Sequence, residues 1–198
     1  MLKRTFDILL VALSVPFWLP LFLIICSMIL VFQGKPIFFT QLRLGYKAKE
    51  FKILKFCTMN NIKDNSGTLL DDFSRTTKLG RILRKYSLDE IPSILNVIKN
   101  EMSLVGPRPF LAEYKSLYSE DQIKRHDVIP GITGWAQIRG RNAITWNEKF
   151  ELDLWYVSNQ SILLDIKIIF FTFWNVFRAK NINLENSSTT MPKFNGKN

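Results

Sequence analysis

Between Ile8 and Gln33 the chain carries no charged side chain, an apolar run of about 26 residues that is long enough to cross a bilayer as a helix. No small-residue cleavage site follows, and the run is longer than a secretory signal core, so it is expected to remain in the mature protein. Two features argue against a simple span. Pro16 and Pro20 sit mid-run, where each deletes a backbone hydrogen bond and bends a helix. Both flanks are also basic, with Lys3 and Arg4 before the run and Lys35, Arg43, Lys47, Lys49, Lys52 and Lys55 after it. Because Lys and Arg are retained on the cytoplasmic face, both ends prefer the same side. A helix broken at Pro20 that enters and leaves through one leaflet satisfies this better than a span or a buried core helix.

The length of 198 residues allows one ordinary domain with an appendage. A formal charge of +10 calls for anionic company: nucleic acid, anionic lipid or phosphorylated substrates. A hydrophobic content of 47%, with 16 Phe and 5 Trp, turns that choice towards a membrane surface. No nucleic-acid-binding motif is present, and no nucleic acid partner is expected. Cys26 and Cys57 have no framework spacing, so no disulfide is implied. The lone His126 cannot head a multi-histidine metal site and is expected to be a hydrogen-bonding structural residue.

Beyond the apolar run, Pro36 to Leu42 and Glu50 to Thr58 read as two short strands joined around Gly45-Tyr46. Residues 60–67 read as a polar loop. Leu79, Ile82, Leu83 and Tyr86 follow helical spacing, with Lys78, Arg81, Arg84 and Lys85 on the other faces. A second helix is expected from Leu88 to Lys99. Pro130 to Trp135 reads as a glycine-punctuated turn, with Arg139 and Arg141 close behind. The aromatic segment Ile162 to Phe177 either lies in the membrane interface plane or packs as a core helix. The tail from Asn181 is expected to be polar and loose.

Two elements carry chemistry. Ser87-Leu88-Asp89-Glu90 has the capping-box pattern, and acids are favoured in any first helical turn, so a purely structural role competes here. The same setting is expected to keep Asp89 ionised, as a nucleophile or metal ligand needs, and helix N-termini hold anions. Gly106-Pro107-Arg108-Pro109 fixes a guanidinium between two prolines, and arginine favours bidentate phosphate contact. Repulsion between carboxylate and phosphate would be offset by Arg84, Arg108 and a divalent cation, for which Mg²⁺ is the natural choice. Trp135 and Trp146 are expected to pack rather than to stack on bases.

Five segments taken together carry a resemblance. These are Lys3-Arg4-Thr5-Phe6-Asp7 ahead of the apolar run, Phe51 to Phe56 with Thr58-Met59, Ser87 to Glu90, Met102 to Pro109, and Pro130 to Gln137. In this order, over nearly the whole chain, they resemble the monotopic phosphoglycosyl transferases, the bacterial sugar transferase family. Asn142-Ala143-Ile144, Phe150-Glu151-Leu152-Asp153 and the ending Lys193 to Asn198 are similar to the small enzymes of protein N-glycosylation in Campylobacter and its relatives. With no further membrane helix apparent, the chain is expected to be a minimal catalytic core.

The resemblance implies an α+β, mainly helical fold. Residues 1–34 would be a re-entrant membrane helix broken at proline, 35–180 a cytosolic catalytic domain with a small hairpin and interfacial helices, and 181–198 a tail. It implies transfer of a sugar phosphate from a UDP-sugar, here UDP-N,N′-diacetylbacillosamine, to undecaprenyl phosphate on the cytoplasmic face of the bacterial inner membrane. Later glycosyltransferases of the pathway are possible partners, and another UDP-hexose or UDP-N-acetylhexosamine is the alternative donor. Asp89 would attack the sugar-bearing phosphate and Glu90 would be its partner, both holding Mg²⁺. Arg84, Arg108, Lys55 and Arg141 would hold phosphates. The family's Ser-Pro at the membrane break is Leu19-Pro20 here, with an extra Pro16 one turn earlier.

Overall fold

The computed structural model describes residues 2–64, 66–140, 144–177 and 193–196. Helix α1, Leu2–Phe32, is some 46 Å long if straight. Pro16 and Pro20 both lie inside it, and the helix continues through each. The expected interruption at Pro20 is therefore corrected: a proline removes one hydrogen bond of the ladder, which a helix absorbs as a bend while the turns on either side persist. Polar side chains add bonds around the first proline. Ser14 Oγ donates to Leu10 O (2.7 Å) and Val11 O (3.0 Å), and Trp18 Nε1 donates to Val11 O at 3.3 Å.

One stripe of α1 faces the rest of the protein, with Asp7, Val11, Ile25 and Ile29 buried. The other side is equally apolar but bare: Leu13, Phe17, Val31 and Phe32 are 73–78% exposed. A surface helix of a water-soluble protein would carry charge there. Both ends of the helix are tied to the same domain. Near its start, Arg4 Nη2 donates to Ile98 O (3.0 Å), Ser103 Oγ donates to Asp7 (2.7 Å), and Lys3 pairs with Asp165 (2.5 Å). Near its end, Ile25 and Ile29 pack with Phe56 and Leu83, and Gln33 accepts from Thr77 Oγ1 at 3.1 Å.

Strands β1 (Phe38–Leu44) and β2 (Glu50–Phe56) form the expected antiparallel hairpin, in register from Phe38↔Phe56 to Leu44↔Glu50. Period-two alternation puts Gln41 and Arg43 of β1 on the same face as Ile53 and Lys55 of β2. A short helix α2, Asp72–Arg75, capped by Asp71, precedes α3, Lys78–Lys85, capped by Thr77. The α3 face differs from the expected one: Leu83 is buried and Leu79 packs beside it, but Ile82 is 54% and Tyr86 40% exposed.

Among the described residues the outer edge of β2 meets no third strand. Side chains from the segment after α3 take its place: Ser93 Oγ donates to Leu54 O (2.8 Å), Asn96 Oδ1 accepts from Leu54 N (3.0 Å), and Asn96 Nδ2 donates to Lys52 O (2.8 Å). Helix α4, Ile94–Ile98, leads to β3, Ser103–Val105, which pairs in parallel with β4, Gly131–Thr133. That second sheet replaces the simple turn expected at 130–135. Three-residue strands give too short a pattern to show period two.

Helices α5 (Trp135–Arg139), α6 (Trp146–Asn159) and α7 (Ile162–Phe177) close the domain. Of the two readings of α7, core packing holds for one face, and the other face is bare and apolar. Asp165 and Ile168 are buried, whereas Leu163 (81%), Phe170 (64%) and Phe173 (61%) are exposed. The tail is not loose where it is described: Phe194 is 3% exposed, inside a cluster with Phe110, Tyr114, Trp146 and Phe150. Aromatic area outweighs the polarity of its neighbours there.

Candidate active site

Asp89 and Glu90 lie in the first turn, as expected, but that turn belongs to a 3₁₀ segment, Leu88–Ser93, which runs into α4 in place of one α-helix over 88–99. Ser87 adopts φ +55° and its side chain caps nothing, so the capping box is not formed here; Thr145 and Glu148 form one at the start of α6 instead. The reason is visible at Glu90. Its Oε1 accepts from Lys55 Nζ at 2.6 Å and from Arg108 Nη2 at 2.7 Å, and its Oε2 lies 3.4 Å from Arg108 Nη1. Two charge-assisted bonds outcompete one backbone N–H for the same carboxylate.

Four elements thus converge. Strand β2 supplies Lys55, the 3₁₀ segment supplies the acids, the loop after β3 supplies Arg108, and α3 supplies Arg84. The Arg108 loop is pinned where Gly106 crosses Gly131: Gly106 N donates to Thr133 O (2.9 Å) and Gly131 N donates to Pro107 O (3.0 Å). A Cβ on Gly106 would stand 2.4 Å from Ile129 O, so only glycine permits this approach. Arg125 buttresses the loop from beneath. Its Nη2 donates to Arg108 O (2.7 Å) and to Asp153 (2.6 Å), while its guanidinium stacks 3.8 Å from the Phe110 ring.

Arg84 is placed by α3 docking on the chain just after β2. A Cβ on Gly80 would lie 2.1 Å from Thr58 O, and one turn later Arg84 Nε donates to Thr58 Oγ1 at 2.9 Å. Arg84 ion-pairs with neither acid but stands close enough to favour Asp89's charge.

The two acids differ sharply. Asp89 and Glu90 side chains are 14% and 16% exposed. Burial alone would raise both. At Glu90 the charges of Arg108 and Lys55, and their hydrogen bonds, override burial and hold the carboxyl well below the usual range. At Asp89 burial and the neighbouring Glu90 charge prevail over Lys55, Arg108 and Arg84, and its pKa is raised. A 3₁₀ turn rather than an α-helix begins at Leu88, and Lys55 and Arg108, whose charges favour ionised Asp89, bond to Glu90. Among the described residues Asp89's carboxylate accepts no hydrogen bond; Lys55 Nζ, at 3.9 Å, is its ion-pair partner.

Arg141 lies outside the described residues. Arg139 stacks on Trp135 at 4.4 Å. Trp135 and Trp146 pack in the core as expected. His126 is structural: Nδ1 meets Gly45 O at 3.0 Å, and burial together with the Arg125 charge pushes its pKa down to about 4.

Sequence reasoning missed three contributors. Arg125 and Asp153 form a buried pair across 28 positions, which no local pattern signals. Ser93 and Asn96 read as ordinary helix residues. Arg43 was counted only among the basic flank, yet it lines the cleft with Lys55, Glu90 and Arg108.

The model of the family described as bacterial sugar transferase matches residues 1–179. The chain belongs to the bacterial sugar transferase family. It is 47% identical to the uncharacterized sugar transferase EpsL of Bacillus subtilis (strain 168), over 98% of this chain and 96% of that one. It is 35% identical to the exopolysaccharide production protein ExoY of Rhizobium meliloti (strain 1021), over 87% and 84% of the two chains. The UDP-glucose:undecaprenyl-phosphate glucose-1-phosphate transferase of Escherichia coli (strain K12) is 36% identical over 91% of this chain but only 41% of its own length. For this sugar transferase, the match therefore takes in α1 together with every element that builds the cleft.

Proposed function

We propose that this sugar transferase moves a sugar 1-phosphate from a UDP-sugar to undecaprenyl phosphate, releasing UMP. The observation that carries the reading is the asymmetry of the acid pair. Glu90 is occupied by Lys55 and Arg108, which leaves Asp89 as the carboxylate able to attack. In the first step an Asp89 oxygen bonds to the sugar-bearing phosphorus and the bond from that phosphorus to the UMP oxygen breaks. In the second, an oxygen of undecaprenyl phosphate bonds to the same phosphorus and Asp89 leaves. Lys55, Arg108 and Arg84 offset the charge that gathers on phosphate oxygens in both steps.

Mg²⁺ fits the donor set in a limited way. Among the described residues no group of three or more His, Cys, Asp or Glu could hold a metal. A cation that keeps its waters and takes one or two carboxylates plus substrate phosphates suits Asp89 and Glu90. When bound, it would neutralise phosphate charge.

The membrane arrangement follows the same reading. Both ends of α1 are tied to one domain and its outer face is bare and apolar, which supports a re-entrant helix that returns to the cytoplasmic face of the inner membrane. The exposed apolar side of α7 suits the interface plane. Such a placement would bring a soluble nucleotide sugar and a membrane-held phosphate to one cleft.

The donor proposed is an acetamido sugar on UDP, with UDP-N,N′-diacetylbacillosamine and the N-glycan assembly it initiates as the sharpest form. A UDP-hexose is the second reading, favoured by the relative named for UDP-glucose. A panel of UDP-sugars tested for UMP release, with undecaprenyl phosphate and Mg²⁺ in a membrane mimetic, separates them. No release from any UDP-sugar would leave a non-catalytic polyprenol-phosphate-binding protein.

A further inference from the structure

Arg43 is a half-buried cation with no ion-pair partner among the described residues. It projects from β1 on the hairpin face that bears Ile53 and Lys55, and it lines the cleft of Lys55, Glu90 and Arg108. Two of its nitrogens are engaged: Nη1 donates to Pro109 O (3.2 Å) and Nη2 donates to Gln41 Oε1 (2.6 Å). Its buried Nε–H meets no acceptor among the described residues, and no carboxylate among them lies within ion-pair distance.

The cleft's charges do not balance without a ligand. Lys55 and Arg108 bond to Glu90, which favours the Arg43 charge but lies beyond ion-pair distance of it. Burial and the nearby Arg108 push the Arg43 pKa down to about 10, so its surroundings disfavour the cation. An anion in the cleft would reverse that and satisfy the free N–H. In the hairpin register Lys55 faces Phe39 and Arg43 faces Phe51. Four residues of strand, about 13 Å, separate the two bases along the hairpin. From these separate positions on the hairpin both side chains line the one cleft, so a ligand with two phosphates could meet both.

We infer that Arg43 binds the second phosphate of the nucleotide donor, the one that leaves with UMP, while Lys55 and Arg108 serve the phosphate under attack. The inference rests on the reaction proposed above. Its rival is a bracing role alone, in which Arg43 only holds Pro109 and with it the Arg108 loop.

The test uses the full chain in nanodiscs. UMP affinity is measured for wild type, Arg43→Lys and Arg43→Gln, along with KM for the UDP-sugar and for undecaprenyl phosphate. Arg43→Gln is expected to weaken UMP about tenfold or more and raise the donor KM, with the acceptor KM unchanged. Arg43→Lys, which keeps the charge and loses the fork, should fall between. Wild-type UMP affinity in Arg43→Gln, or a rise in the acceptor KM in place of the donor KM, overturns the inference. If Arg43→Gln loses its cooperative melt, Arg43→Lys decides, and unaltered UMP binding there overturns it equally. A wild-type protein that neither binds UMP nor releases it removes the reaction itself. Wild-type binding matched by both variants removes only the role of Arg43.

Discussion

Asp89 and Glu90 are neighbours in sequence held in opposite electrostatic states: Glu90 lies 2.6 Å from Lys55 Nζ and 2.7 Å from Arg108 Nη2, whereas Asp89 lies 3.9 Å from Lys55. Glu90 is thus the counter-ion of both cations, and the proposed reaction assigns the attack to Asp89. Asp89→Asn should abolish both turnover and covalent capture of labelled sugar phosphate, by roughly 10⁴-fold or more in kcat. An active Asp89→Asn variant would sink the nucleophile assignment.

The same arrangement sets a pH dependence. Asp89 must be ionised to attack, and its pKa is raised by burial and by Glu90. The acid limb of kcat/KM should therefore lie above the ordinary carboxylate range. Glu90→Gln removes a negative neighbour and frees two cations, both of which favour ionised Asp89, so the limb of the residual activity should move to lower pH. A limb that stays in place would argue that another group titrates.

Arg108→Lys keeps the charge but cannot hold both Glu90 oxygens as a fork. Activity should fall about 10- to 100-fold, with little change in melting temperature because Arg108 is 42% exposed. Steady-state kinetics beside a thermal melt checks both halves.

Asn96→Ala strips Leu54 N and Lys52 O of their partners on the edge of β2. The cost should be ~1–3 kcal/mol in stability for two part-buried groups that lose their partner, read from denaturant midpoints. Gly80→Ala forces α3 away from Thr58 and should cost ~1–3 kcal/mol while loosening Arg84.

The helix arrangement has its own test. In a background lacking Cys26 and Cys57, a cysteine introduced as Leu2→Cys should resist a membrane-impermeant thiol reagent applied from the periplasm. Labelling there would favour a true span.

Much was legible in local pattern. The apolar run, the hairpin and the extent of α3, though not its buried face, follow from composition and periodicity, which are properties of one segment. The pairing of an acid pair with a rigid arginine was legible too, since both are short motifs with stiff backbones. What local pattern misassigned were features decided by competition at a distance. Glu90 had the spacing of a capping residue, and lost that role to Lys55, 35 positions away, and to Arg108, 18 positions away. Pro20 had the chemistry of a break, yet α1 continues through it. Phe194, in a polar tail, was captured by an aromatic cluster built from residues 44 to 84 positions earlier.

The sequence by itself determined that a basic, aromatic-rich chain with an N-terminal run uncharged from Ile8 to Gln33 carries acids and arginines suited to phosphate. Hydrophobicity, charge and backbone stiffness are properties of residues and need no fold to be read. Only the tertiary structure decided which acid bonds to two cations and which keeps one longer ion pair, and that Arg43 joins the cleft while His126 does not. Those outcomes depend on distances of a few ångströms between groups far apart in the chain, at which charge-assisted hydrogen bonds and burial act.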